Sequence, residues 1–171
     1  LAGLRAVKNQ TALVRAVARL PEEWHLVIVG DGPERDAIRD AAEAADIAHR
    51  VHLPGFVAKP KTFLGLFDIF ALSSRSEQFP LSMVEAMAAG LPVAAPAVGD
   101  IAAMVAEENA PFIVRPNDQD ALSQALLTLA ADADRGQRLD FAAAYRAELR
   151  RPAGRTRSSR PAGEPAARPG P

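Results

Sequence analysis

Apolar residues fall into two patterns along this chain: short continuous runs and helical stripes. His25-Leu26-Val27-Ile28-Val29, Val51-His52-Leu53, Ile69-Phe70-Ala71-Leu72, Val93-Ala94-Ala95 and Phe112-Ile113-Val114 are runs of strand length, most of them closed by turn residues. Between them lie stretches with apolar positions three and four apart. Leu13, Val14, Val17 and Leu20 mark one such face, opened by Lys8-Asn9-Gln10-Thr11 and stopped by Pro21. Pro33 suits the first turn of a helix over 34–45. A short helix is predicted over 61–67, another over 81–89 closed by Gly90 and Pro92, and others over 101–106, 118–129 and 135–149. The opening residues, Leu1 to Leu4, read as the tail of a strand. Strands that alternate with helices and are themselves almost continuously apolar imply a parallel sheet covered on both faces, an α/β fold.

Composition sharpens this in a few places. With 171 residues the chain is long enough for one domain with a real core. Aromatics make up only 5% of it, so that core is built from Ala, Leu and Val. A formal net charge of −1 gives no overall attraction to nucleic acid. There is no cysteine, which excludes disulfides and thiolate metal sites, and His25, His49 and His52 do not share metal-ligand spacing. The absence of a long apolar run or a leader-like segment makes a cytoplasmic domain the default expectation. Near Arg150 the composition changes. Residues 151–171 hold five Pro, three Gly and five Arg against one Glu, with no large aliphatic side chain. The reading is therefore a folded unit over 1–150 and a disordered Arg/Pro/Gly-rich tail over 151–171. Because the first residue is Leu1, the chain is expected to be a piece of something longer.

The candidate chemistry clusters after the third predicted strand. Glu77 falls in a loop at the strand's carboxyl end and Glu85 about one turn into the following helix. Ligands of open α/β sheets bind at that edge. Two acceptor-only carboxylates flanking a helix N-terminus suit a ligand with hydroxyls on both sides of a phosphate. They are too widely placed to be an acid/base pair working on one bond. Solvated surface glutamates would give the same pattern, and the pair gains meaning from its setting between Ser73-Ser74, Phe79-Pro80 and a small-residue helix. The Gly30-Asp31-Gly32-Pro33 turn also follows a strand and opens a helix. It lacks the third glycine of a dinucleotide fingerprint, so it is either a ligand-facing turn or a tight turn that needs glycine. Lys8 is placed to meet a phosphate or to be a solvated lysine at a helix start. The histidines read as ordinary, and Trp24 and Phe112 as core.

Taken in order, these segments resemble a known family. Leu4-Arg5-Ala6-Val7-Lys8-Asn9, Leu26 to Pro33, Val51-His52-Leu53-Pro54-Gly55-Phe56, Asp68 to Ser74, the Glu-x7-Glu spacing of Glu77 and Glu85, and Ala86 to Val93 are similar to the C-terminal, donor-binding domain of retaining glycosyltransferases of family 4. These have the two-domain glycosyltransferase-B fold, so the resemblance implies a Rossmann-like domain. It also implies roles. Glu77 would accept hydrogen bonds from the donor sugar, and the segment Gln78, Phe79, Leu81 and Ser82 would hold the diphosphate. Glu85 would bind ribose hydroxyls, and Lys8 would neutralise the departing diphosphate. Gly30, Gly32, Phe56 and Val57 would border the nucleotide. The donor is then a nucleoside diphosphate sugar, with no cofactor and no metal. The partners implied are that donor and an N-terminal acceptor domain, through which any peripheral membrane association would run.

The chain departs from this pattern in three places. The family's arginine five positions before the lysine is here Gly3, with Arg5 close by. Its Gly-Phe-Gly after the first glutamate is Gln78-Phe79-Pro80, and Pro80 has no amide hydrogen to offer a phosphate. Its last helix, which crosses back to the first domain, is replaced by the Arg/Pro/Gly tail. The expectation is a donor-binding half that transfers little or no sugar without its N-terminal domain. The alternatives are an epimerase-like sugar-nucleotide domain or a folded fragment that binds no ligand.

Overall fold

The computed structural model describes residues 3–134, so the predicted last helix and the boundary at residue 150 lie outside the described residues. Among the described residues five strands are present: β1 (Leu26–Val29), β2 (Val51–Gly55), β3 (Phe70–Ala71), β4 (Val93–Pro96) and β5 (Ile113–Val114). The main helices are α1 (Gln10–Val17), α2 (Arg35–Ala44), α3 (Leu81–Ala88), α4 (Ile101–Met104) and α5 (Gln119–Asp134). Every strand pairing is parallel. β1 pairs with β2, with Leu26 opposite Val51, and β4 lies between β3 and β5, with Phe70 opposite Val93 and Ala95 opposite Ile113.

Strand alternation sends side chains to two separate cores. Phe70, Leu72, Val93 and Ala95 enter one, with Met83 and Met87 of α3 and Ile101 of α4. Ala71 and Ala94 face the other, where Ile28 packs with Leu13, Val14 and Val17 of α1, Ile38 of α2 and Leu122, Leu126 and Leu129 of α5. Neighbouring residues of β4 thus serve opposite faces, the period-2 geometry of a sheet covered on both sides. This is the expected α/β architecture.

Several boundaries moved. The apolar run at 69–72 keeps only two residues in strand geometry. Phe112 belongs to a 3-10 turn over Glu107–Phe112, although it is buried as expected. Leu4 does not continue a strand; it pairs with the turn after β1, its amide donating to the Asp31 carbonyl (2.9 Å) while its own carbonyl accepts from Glu34 (3.2 Å). Gly32 allows this approach, because a Cβ there would collide with the Leu4 carbonyl oxygen.

One structural residue was not anticipated. Arg50 is 5% exposed, and its guanidinium donates to the carbonyls of Pro21 (2.8 Å), Leu20 and Val17 (both 3.3 Å) and Trp24 (3.4 Å). Carbonyls at and beyond the end of a helix lack intrahelical donors, so a buried cation there satisfies them and the negative end of the helix dipole together. The exposed rings of His25, just before β1, and His52 of β2 stack with Nδ1 and Nε2 2.9 Å apart.

Candidate functional site

The strands form two parallel sheets, β1-β2 and β3-β4-β5, and the singled-out residues follow the carboxyl ends of their strands. Gly30 and Asp31 leave β1, Phe56 and Val57 leave β2, Ser73 and Ser74 leave β3, and Val98 and Gly99 follow β4. Residues 6–9 lie across these strand ends. A 3-10 turn, Ala6–Lys8, leads into Asn9 in the left-handed conformation (φ 50°), which asparagine tolerates better than most residues, and α1 starts immediately after. The segment is held by the loop after β3: the Ser73 hydroxyl lies 2.9 Å from the carbonyl oxygens of both Lys8 and Asn9, and the Arg75 amide donates to the Val7 carbonyl at 2.8 Å.

This backbone framework brings Lys8 to Glu77. Their Nζ and Oε1 atoms are 2.6 Å apart, and the Ser74 hydroxyl donates to the same Oε1 at 2.7 Å. The Glu77 side chain is only 9% exposed, while that of Lys8 is 26% exposed. A largely buried carboxylate held by a lysine and a serine is an ordered group with one oxygen committed and the other available for hydroxyl donors.

The loop that carries Glu77 is braced from behind. Asp100 donates its amide to the Gln78 carbonyl (3.2 Å), and Gly99, at φ 56°, lies so close that a Cβ would strike the Glu77 carbonyl oxygen. Pro80 then caps α3 through its backbone, accepting from the amides of Met83 (2.9 Å) and Val84 (3.4 Å). No side chain caps this helix, so the amides of Leu81 and Ser82 are the first-turn donors left to point forward. Glu85 is exposed on α3, one turn further along. Phe79 and Leu81 are exposed, and Phe56 is 81% exposed.

The glycine turn behaves differently from a phosphate cradle. The Gly30 amide donates to the Gly55 carbonyl (2.9 Å) and the Gly32 amide to Asp31 Oδ1 (2.8 Å). Both amides are therefore engaged within the protein, and the glycines shape the turn. Arg5, the cation nearest the atypical Gly3, places its Nε 3.7 Å from where a Gly3 Cβ would stand. Among the described residues, no group of three His, Asp or Glu side chains is arranged to hold a metal ion. Sequence reasoning took Ser73 and Ser74 only as loop markers; their hydroxyls prove to fix Lys8 and Glu77.

Comparison with known proteins decides the family. The sequence model described as "Glycosyl transferases group 1" matches residues 1–132. The chain belongs to this family. Relatives include the 2-deoxystreptamine N-acetyl-D-glucosaminyltransferase of Streptomyces fradiae, 36% identical over 68% of this chain and 28% of that protein. The D-inositol 3-phosphate glycosyltransferase of Xylanimonas cellulosilytica is 33% identical over 86% of this chain and 36% of its own length. The chain thus spans a fifth to just over a third of the length of the curated relatives it matches. Among solved structures, Anabaena HepE in complex with UDP and glucose superposes with a TM-score of 0.76 at 24% identity, covering 86% of this chain and 41% of that one. WaaG, a glycosyltransferase involved in lipopolysaccharide biosynthesis, gives a TM-score of 0.70 at 23% identity over 82% of this chain and 39% of that chain. Both matches show the fold, that of one Rossmann-like half of a glycosyltransferase-B enzyme.

Proposed function

We propose that this chain is the donor-binding half of a retaining glycosyltransferase that moves a sugar from a nucleoside diphosphate to an acceptor. The observation that supports this best is the Lys8–Glu77 pair at the carboxyl edge of the sheet, beside the uncapped start of α3. In this reading the diphosphate lies against the amides of Leu81 and Ser82, where the helix dipole favours an anion. Lys8 is the fixed cation for the charge that develops as the sugar–phosphate bond breaks, so no metal and no cofactor is required. Glu77 Oε2 accepts hydroxyls of the sugar, Glu85 those of the ribose, and Phe56 and Val57 border the base.

The acceptor, the linkage and retention of configuration belong to the whole enzyme; the matched segment makes up 28% and 36% of the two relatives above. The isolated chain is accordingly proposed to bind nucleotide and transfer little sugar, with the acceptor site on an N-terminal domain. A cytoplasmic location belongs to the same proposal; among the described residues no helix is long and apolar enough to cross a membrane. Amide NMR during titration with UDP, GDP and ADP tests the reading. Shifts concentrated at Leu81, Ser82 and Lys8 with one of the three support it; no response to any of them overturns it.

A further inference from the structure

A cleft of about 290 Å³ opens between the start of α1, the loop after β3 and the loop after β5. It adjoins the site described above, since Asn9 in its wall follows Lys8 and the hydroxyl of Ser74, another wall residue, bonds Glu77. Lys8, Glu77, Glu85, Leu81 and Ser82 do not line it. Arg15, Arg75 and Arg115 do, brought together from three segments distant in sequence. Other arginines are engaged: Arg19 with Asp120, Arg39 with Asp36, Arg35 on the Leu53 carbonyl and Arg50 on its four carbonyls. The guanidiniums of Arg15, Arg75 and Arg115 have no hydrogen-bond or carboxylate partner among the described residues. The carboxylate among the described wall residues, Asp118, has Oδ1 taken by the Ala121 amide (2.9 Å) at the head of α5. Asn9 and Ala12 bring the start of α1 to the same cleft, and no side chain caps that helix. Helix N-termini carry partial positive charge, so two of them add to the three guanidiniums.

We propose that this cleft binds the phosphate group of a phosphomonoester, at a place separate from the donor diphosphate. Three like charges gathered in one concavity repel, and this chain, with a formal net charge of −1, has carboxylates enough to have paired them. A dianion relieves that repulsion. Three guanidiniums against one carboxylate leave a surplus of two positive charges, which a phosphomonoester matches near neutral pH, its second pKa being about 6. Each planar guanidinium can offer two parallel N–H donors to phosphate oxygens, geometry that an ammonium group lacks. The phosphate can be that of a soluble phosphorylated compound or of a lipid headgroup, which share this chemistry. The inference stands apart from the nucleotide reading, because the residues given to the nucleotide lie outside the cleft wall.

The test follows amide NMR of the whole chain during titration with inorganic phosphate and glucose 6-phosphate, with chloride at equal ionic strength as control. A parallel arm measures co-sedimentation with phosphatidylcholine vesicles, with and without phosphatidic acid. Saturable shifts at Arg75, Asn117 and Gln119 are expected, weaker at about pH 5.5 than at about pH 7.5 because the ligand loses its second charge. The double substitution Arg15→Gln, Arg115→Gln, at two exposed positions, is expected to lower affinity at least tenfold with no change in melting temperature. Binding of the soluble phosphates that the double variant loses assigns a soluble ligand; vesicle binding that depends on phosphatidic acid and is lost in the same variant assigns a headgroup. Shifts confined to Lys8, Leu81 and Ser82, shifts that chloride reproduces, undiminished binding by the variant, or no binding in either arm overturns the inference. Should the double variant fail to fold, Arg115→Gln alone is read in the same way.

Discussion

Lys8 Nζ and Glu77 Oε1 meet at 2.6 Å across 69 positions of sequence. The contact joins the turn before α1 to the loop before α3, and the nucleotide site proposed here depends on it. Substituting Lys8→Ala leaves a mostly buried carboxylate with Ser74 as its partner. That is expected to lower stability by about 1–3 kcal/mol, the cost of an unpaired buried charge softened by its remaining exposure. Urea denaturation measures it, and Lys8→Arg should recover most of the loss.

Ser73 acts at one remove. Its hydroxyl bridges the Lys8 and Asn9 carbonyls, so Ser73→Ala is expected to cost about 1 kcal/mol and to loosen the segment that aims Lys8. Chemical denaturation gives the first quantity. Weaker binding of nucleoside diphosphate with unchanged binding of the nucleoside alone gives the second, since only the phosphates meet Lys8.

Gly99 is where the backbone behind Glu77 leaves no room. A side chain there meets both an unfavourable φ of 56° and the Glu77 carbonyl. Gly99→Ala is expected to destabilise by more than about 1 kcal/mol and to displace the Glu77 loop. A melting temperature equal to that of the unmodified chain would show that the loop yields freely.

Arg50 separates fold from site. Removing its four carbonyl contacts by Arg50→Ala should cost about 2–4 kcal/mol of stability. Because these contacts close the end of α1 away from residues 6–9, nucleotide affinity of the folded protein is expected to stay the same. Parallel melting and binding curves check both halves of this statement.

How much was legible in the sequence follows from the range of each interaction. β4 could be read because a buried parallel strand is an unbroken apolar run, β1 from the same apolar run although only its Ile28 is buried and Val27 is exposed, and α3 because its small-residue stretch ends at Gly90. Those signals are local. The Lys8–Glu77 contact, the Ser73 bridge and the Arg50 cluster join residues 26 to 69 positions apart, and no local period announces them. Glu77 and Lys8 were singled out by their places at strand ends and by family resemblance, neither of which says that they touch. Leu4 was read as strand because it is apolar, but its partner is the turn at Asp31. The glycine turn was left open between ligand and geometry, and only the bonds of its amides show them occupied.

Calorimetric titration with UDP, GDP, ADP and their sugar conjugates, repeated on Glu85→Ala, tests the central claim most directly. The account expects one diphosphate series to bind, and the substitution to cost about 1.5–3 kcal/mol, roughly ten- to a hundredfold in affinity, through the lost ribose contact. A folded chain that binds none of these ligands, or one that binds them equally well without the Glu85 carboxylate, would contradict it.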